Sequence, residues 1–140
     1  MTKLFKKWYF WVILVVVFIF ISSAASTDAE PEPVQYETVD LQQMLDELDS
    51  NALKAEKTYL NKYVEVTGKI SNFDSDGEYI TIEPVDADKW NFDTVMCDIM
   101  SDDQLEFLLE KSVGDVVTIR GKVTTIGEVL GYFIDIAEIN

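Results

Sequence analysis

The chain has 140 residues, a length suited to one domain. Its 26 Asp plus Glu against 11 Lys plus Arg give a formal charge of -15. Such a balance repels phosphate backbones, whose affinity rests on Lys and Arg displacing counterions, so nucleic acid is not expected as a partner. With no His and one Cys, Cys97, the composition excludes Ser-His and Cys-His nucleophile pairs, His-ligated zinc and an internal disulfide.

Lys3, Lys6 and Lys7 precede every acid and lead into an apolar run of 14 residues, Trp8 to Ile21, followed by Ser22-Ser23-Ala24-Ala25. Residues 1–25 read either as a retained membrane anchor or as a signal peptide cleaved near Ala25. The Trp8-Tyr9-Phe10-Trp11 cluster beside the lysines suits the headgroup level and favours the anchor. Both readings keep the bases cytoplasmic and export the acidic remainder, giving a single-pass membrane protein with an extracytoplasmic carboxyl-terminal domain. Residues 26–39 are acidic and contain Pro31 and Pro33, the composition of a semi-extended linker.

Residues 40–140 carry the domain. Leu41, Met44, Leu45, Leu48, Ala52, Ala55 and Tyr59 recur at spacings of three and four, one apolar face of a helix that Ser50-Asn51 is expected to interrupt. Asp40 with Gln43 reads as a capping box. From Tyr63 the period becomes two: Val64, Val66, Gly68 and Ile70 point inward along a strand. Asp74-Ser75-Asp76-Gly77-Glu78 supplies a turn; its acids resemble the start of a calcium loop but lack the distal bidentate Glu, so a hairpin turn is the expectation.

A second strand runs from Tyr79 to Val85 and a third from Thr94 to Met100, separated by a loop holding Trp90 and Phe92. Ser101 caps a helix over Asp102 to Lys111, with Gln104 closing its box and Leu105, Leu108 and Leu109 facing in. A fourth strand spans Asp115 to Ile126 and a fifth Tyr132 to Asn140. Three strands, a helix and two strands, preceded by a further helix, predict a mainly β fold: a five-stranded OB-fold Greek-key barrel with a helix between strands three and four. Gly68 and Gly121 in mid-strand fit the crowded backbones of such a barrel. An open α+β sandwich is the alternative.

Asn51-Ala52-Leu53-Lys54-Ala55, Tyr59, the strand Tyr63-Val64-Glu65-Val66-Thr67-Gly68-Lys69-Ile70 and the later Gly114-Asp115-Val116-Val117-Thr118-Ile119-Arg120-Gly121-Lys122-Val123 together resemble the tRNA_anti-like family of small OB-fold domains. The resemblance covers about residues 41–140 and implies an exported or membrane-attached bacterial protein. It also implies a Cys on the third strand and another near the carboxyl end. Cys97 matches the first; Ala137 stands near the second, so Cys97 reads as a small buried apolar residue.

OB barrels present the outward face of strands two and three to oligonucleotides or oligosaccharides. Here that face offers Tyr79, Thr81 and Glu83 with Met96 and Asp98, and the adjoining loop offers Trp90 and Phe92, as ligand contacts or as a plug for the open end of the barrel. Lys69, Arg120 and Lys122 form one basic strip, expected to balance nearby acids. The chain therefore reads as a membrane-tethered, extracytoplasmic, non-catalytic module for a protein, peptide or cell-envelope glycan, with no cofactor and no metal. A nucleic-acid-binding barrel is the alternative, and a small hydrolase using paired carboxylates is a third reading, although nothing singles out a pair among the acids.

Overall fold

The computed structural model describes residues 33–88 and 93–140. The expectations for residues 1–25, for the first part of the linker and for Trp90 and Phe92 lie outside the described residues. No helix among the described residues is long and apolar enough to cross a membrane.

A short strand β1 (Glu37–Thr38) falls inside the span read as linker. Two helices follow, α1 (Leu41–Ser50) and α2 (Ala52–Tyr59). Asn51 divides them because it serves both: its N–H bonds the Glu47 carbonyl as the end of α1, and its side chain accepts the Lys54 N–H as the start of α2. Asp40 accepts the Gln43 N–H at 2.9 Å, but the Gln43 amide turns outward to Glu47, so only half of the expected box forms.

The remaining elements are β2 (Tyr63–Phe73), β3 (Tyr79–Glu83), β4 (Val95–Asp98), α3 (Asp102–Leu109), β5 (Val116–Gly127) and β6 (Gly131–Ile139). Strands pair in the order β1-β2-β3-β4-β6-β5, and β5 returns to β2. That last pairing closes the cylinder. The β4–β6 pairing is parallel and the other barrel pairings are antiparallel, so the OB barrel is closed and the flat sandwich alternative is excluded. β1 adds in parallel to β2 outside the ring.

The period-two pattern is realised as expected: Val64, Val66, Ile70, Ile80, Ile82, Val95, Cys97, Val117, Ile119, Val123, Ile134 and Ile136 fill the interior. Burial raises the Cys97 thiol far above its ordinary pKa, with the Asp98 charge adding to the shift, so it stays protonated and unreactive. Gly121 is required by close approach, since a Cβ there would overlap the Asp135 carbonyl oxygen and press on Ile134.

Two polar clasps attach the helices to opposite ends of β6. The fully buried Tyr132 donates its hydroxyl to the Met44 carbonyl in α1 at 2.6 Å and meets Tyr59 edge-on. Burial, then the charges of Glu47 and Asp49, push the Tyr132 pKa up to about 12. Gln104 of α3 donates to the Ile136 carbonyl at 2.9 Å and accepts the Met100 N–H at 2.8 Å. Its side chain thus reaches past the Ser101 cap, where a capping box would have returned it. Leu108 is buried as expected, whereas Leu109 is 74% exposed, and Phe107, on the other side of the helix, packs against the core instead.

Candidate functional site

Outward positions on neighbouring strands align into rows around the barrel. Thr81 on β3 is the register partner of Met96 on β4, and Met96 that of Phe133 on β6. On the far side Thr81 pairs with Asn72 of β2, and its hydroxyl meets the Ser71 hydroxyl at 2.7 Å. Ser71, Thr81, Met96 and Phe133 are all half-buried, forming a strip without a charged residue across four strands.

The adjacent row runs Tyr79, Asp98, Asp135, Lys122 and Tyr63. Asp98 and Asp135 are register partners on β4 and β6, so two carboxyl groups stand side by side in this row. Partial burial first, then the Asp135 charge and hydrogen bond and the Glu78 charge, raise the Asp98 pKa.

The structure brings Tyr79, Thr81 and Met96 onto one face, as their strand positions predict. Phe133 and Asp135 belong to the same surface and are absent from the sequence reading. Their signal was available in the alternation of β6, where inward Tyr132, Ile134 and Ile136 leave Phe133 and Asp135 outside. Their placement beside β4 required the parallel β4–β6 pairing.

The basic strip on β2 and β5 is mostly neutralised. Lys69 pairs with Glu83 at 3.5 Å, and Arg120 with Glu65 at 2.6 Å and Glu138 at 3.2 Å. The Arg120 hydrogen bond holds the Glu65 carboxyl below its usual range. Lys122 forms no ion pair among the described residues and lies over the Tyr63 ring at 5.9 Å. The Asp74–Glu78 segment is a turn in which the Asp74 carbonyl accepts the Gly77 N–H and its carboxylate the Glu78 N–H, with Gly77 at φ 74°. Among the described residues no group of three acids or thiols is arranged to hold a metal ion.

The tRNA_anti-like family model matches residues 1–130. The chain belongs to the tRNA_anti-like family. Among solved structures, a lipoprotein of Klebsiella pneumoniae subsp. pneumoniae MGH 78578, proposed to bind nucleic acid, is similar over 75% of this chain and 90% of its own, at 20% identity and a TM-score of 0.56. Replication protein A of U. maydis bound to ssDNA matches 77% of this chain and 73% of its own, at 14% identity and a TM-score of 0.46. A mitochondrial single-stranded DNA binding protein of S. cerevisiae matches 57% of this chain and 92% of its own, at 15% identity and a TM-score of 0.46. No curated protein matches.

Two expectations are corrected by these findings: that nucleic acid is not a partner, and that the barrel is a module for a protein, peptide or glycan. The Klebsiella barrel, matched over nine-tenths of its length, is that of a protein proposed to bind nucleic acid. The expectation rested on net charge, which averages the whole surface. On the tRNA_anti-like barrel of this chain Ser71, Thr81, Met96 and Phe133 form an uncharged strip bordered by Asp98 and Asp135, and charge summed over the sequence does not say how charge is distributed across that face.

Proposed function

We propose that this chain is an OB-fold protein that binds single-stranded nucleic acid, without catalysis, on the outward face of β3, β4 and β6. The observation that carries the reading is the alignment of Tyr79, Thr81, Met96 and Phe133 on the side of the barrel where OB folds receive oligonucleotides. Aromatic rings and a thioether offer flat apolar contact to base faces, and the Ser71 and Thr81 hydroxyls offer hydrogen bonds to base edges. Stacking of this kind is tolerant of sequence because every base has a π-face.

Affinity on an acidic barrel comes from bases more than from phosphates. With Lys69 and Arg120 already paired, the basic strip keeps only Lys122 without an ion pair among the described residues. Contact with about two phosphates gives a slope of log affinity against log salt of only about −1.4 for a single strand. Added salt also screens the repulsion from the acidic surface and flattens the slope further.

The basic and apolar leader of residues 1–25 supports a membrane-attached location with the barrel outside the cytoplasm, where the ligand is extracellular or imported nucleic acid. Filter retention of a labelled single-stranded oligonucleotide across a salt series tests the binding. Saturable retention with a shallow salt dependence supports the reading, and no retention at any salt removes it.

A further inference from the structure

A cavity of about 420 Å3 opens between the β2–β3 turn and α3. Its apolar wall includes Phe73, Ile99, Leu105 and Leu109, and Tyr79 stands in both the cavity lining and the outward row of the candidate face. The size falls within the range of roughly 300–1,000 Å3 typical of small-ligand pockets. Leu109 is 74% exposed at this site, an aliphatic side chain left in solvent beside an apolar wall.

The charges are divided in a telling way. The turn contributes Asp74 and Asp76, while Lys111 is the one cation of the lining; its ammonium lies 4.8 Å above the Phe107 ring and has no ion pair among the described residues. Asp74 is engaged by the Glu78 N–H at 3.0 Å. A phosphate is repelled from the turn side and attracted to the Lys111 side. A base, with a flat π-face and N–H donors on its edge, meets an apolar wall and an acidic rim.

We propose that this cavity seats one unstacked nucleobase of the bound strand, with Tyr79 at its rim and Lys111 receiving the adjoining phosphate. The inference rests on the single-strand reading above and extends it from the open face to a defined pocket. A stacked row of bases then runs along Phe133, Met96 and Tyr79, and one base leaves the row where α3 and the turn part.

Photo-crosslinking of the full chain with oligo(dT) carrying 4-thiothymidine, mapped by mass spectrometry, tests it. Adducts are expected at Tyr79, Phe73 or Lys111. Leu109→Trp, a substitution at an exposed position that fills the mouth, is expected to abolish those adducts and weaken binding about five- to 150-fold, the loss of one stacked base. Lys111→Glu is a second route to the same weakening and does not depend on how the tryptophan packs. Adducts confined to Phe133 and Met96, with affinity unchanged in both variants, overturn the pocket and leave the open-face reading standing. Absence of both binding and adducts in the unaltered protein overturns the two together.

Discussion

Replacing Tyr79 and Phe133 with alanine, singly and together, probes the stacking surface without touching the core. Both side chains are half-buried on the outer face, and each truncation removes one ring on which a base rests. Base–aromatic stacking contributes about 1–3 kcal/mol per base, so each single variant is expected to weaken binding about five- to 150-fold. Strand β4 lies between β3 and β6, which separates the two positions by two strand spacings, roughly 10 Å. They do not touch, so a strand that spans both makes the losses additive to within about 0.5 kcal/mol. The assay is fluorescence anisotropy of a labelled single-stranded oligomer, with a thermal melt of each variant beside it. Loss of affinity with a retained cooperative melt is the expected result. Affinities within twofold of the parent for all three variants would refute the assignment of this face.

Other expectations follow from the charges and the clasps. Asp135→Asn removes a negative charge beside the strip and is expected to tighten oligonucleotide binding at low salt; unchanged affinity would mean that the strand does not pass this row. Because the folded state raises the Asp98 pKa, it holds that proton more tightly than the unfolded chain does. Its contribution to stability is therefore greatest below the ordinary carboxylate range, declines as pH rises from that range to the raised value, and is flat above. Urea melts across this window should show the decline in the parent and lose that component in Asp98→Asn, and identical profiles would contradict the raised Asp98 pKa. Tyr132→Phe deletes the bond to the Met44 carbonyl and is expected to cost about 0.5–1.5 kcal/mol, read as a lower urea midpoint with unchanged slope. Gly121→Ala forces a methyl group against the Asp135 carbonyl and is expected to cost about 1–3 kcal/mol, whereas an unshifted melt would show that β5 and β6 do not approach so closely.

The barrel was legible because its strands alternate cleanly. Val64, Val66 and Ile70 on β2 and Val117, Ile119 and Val123 on β5 each declare an inner face, and Gly68 and Gly121 mark where backbones crowd. The break between α1 and α2 was legible at Asn51 because a short polar side chain both ends and starts helices. What eluded sequence reasoning depended on partners distant in the chain. Gln104 follows a cap residue and so reads as a box, yet its amide is claimed by the Ile136 carbonyl 32 residues away. Leu109 fits the helical stripe, yet nothing packs over it. Phe133 alternates outward on β6, but only the parallel pairing with β4 places it beside Met96 and completes the face. Net charge was the least informative quantity about the face, since one sum over 140 residues is blind to an uncharged strip formed from four strands.

The most direct measurement is an anisotropy titration of a single-stranded oligonucleotide with the full chain, repeated over a range of salt and against the matching duplex. Saturable binding of the single strand, weakly dependent on salt and stronger than that of the duplex, is the predicted result. No saturation at any salt, or a duplex preference with a steep salt slope, would contradict it.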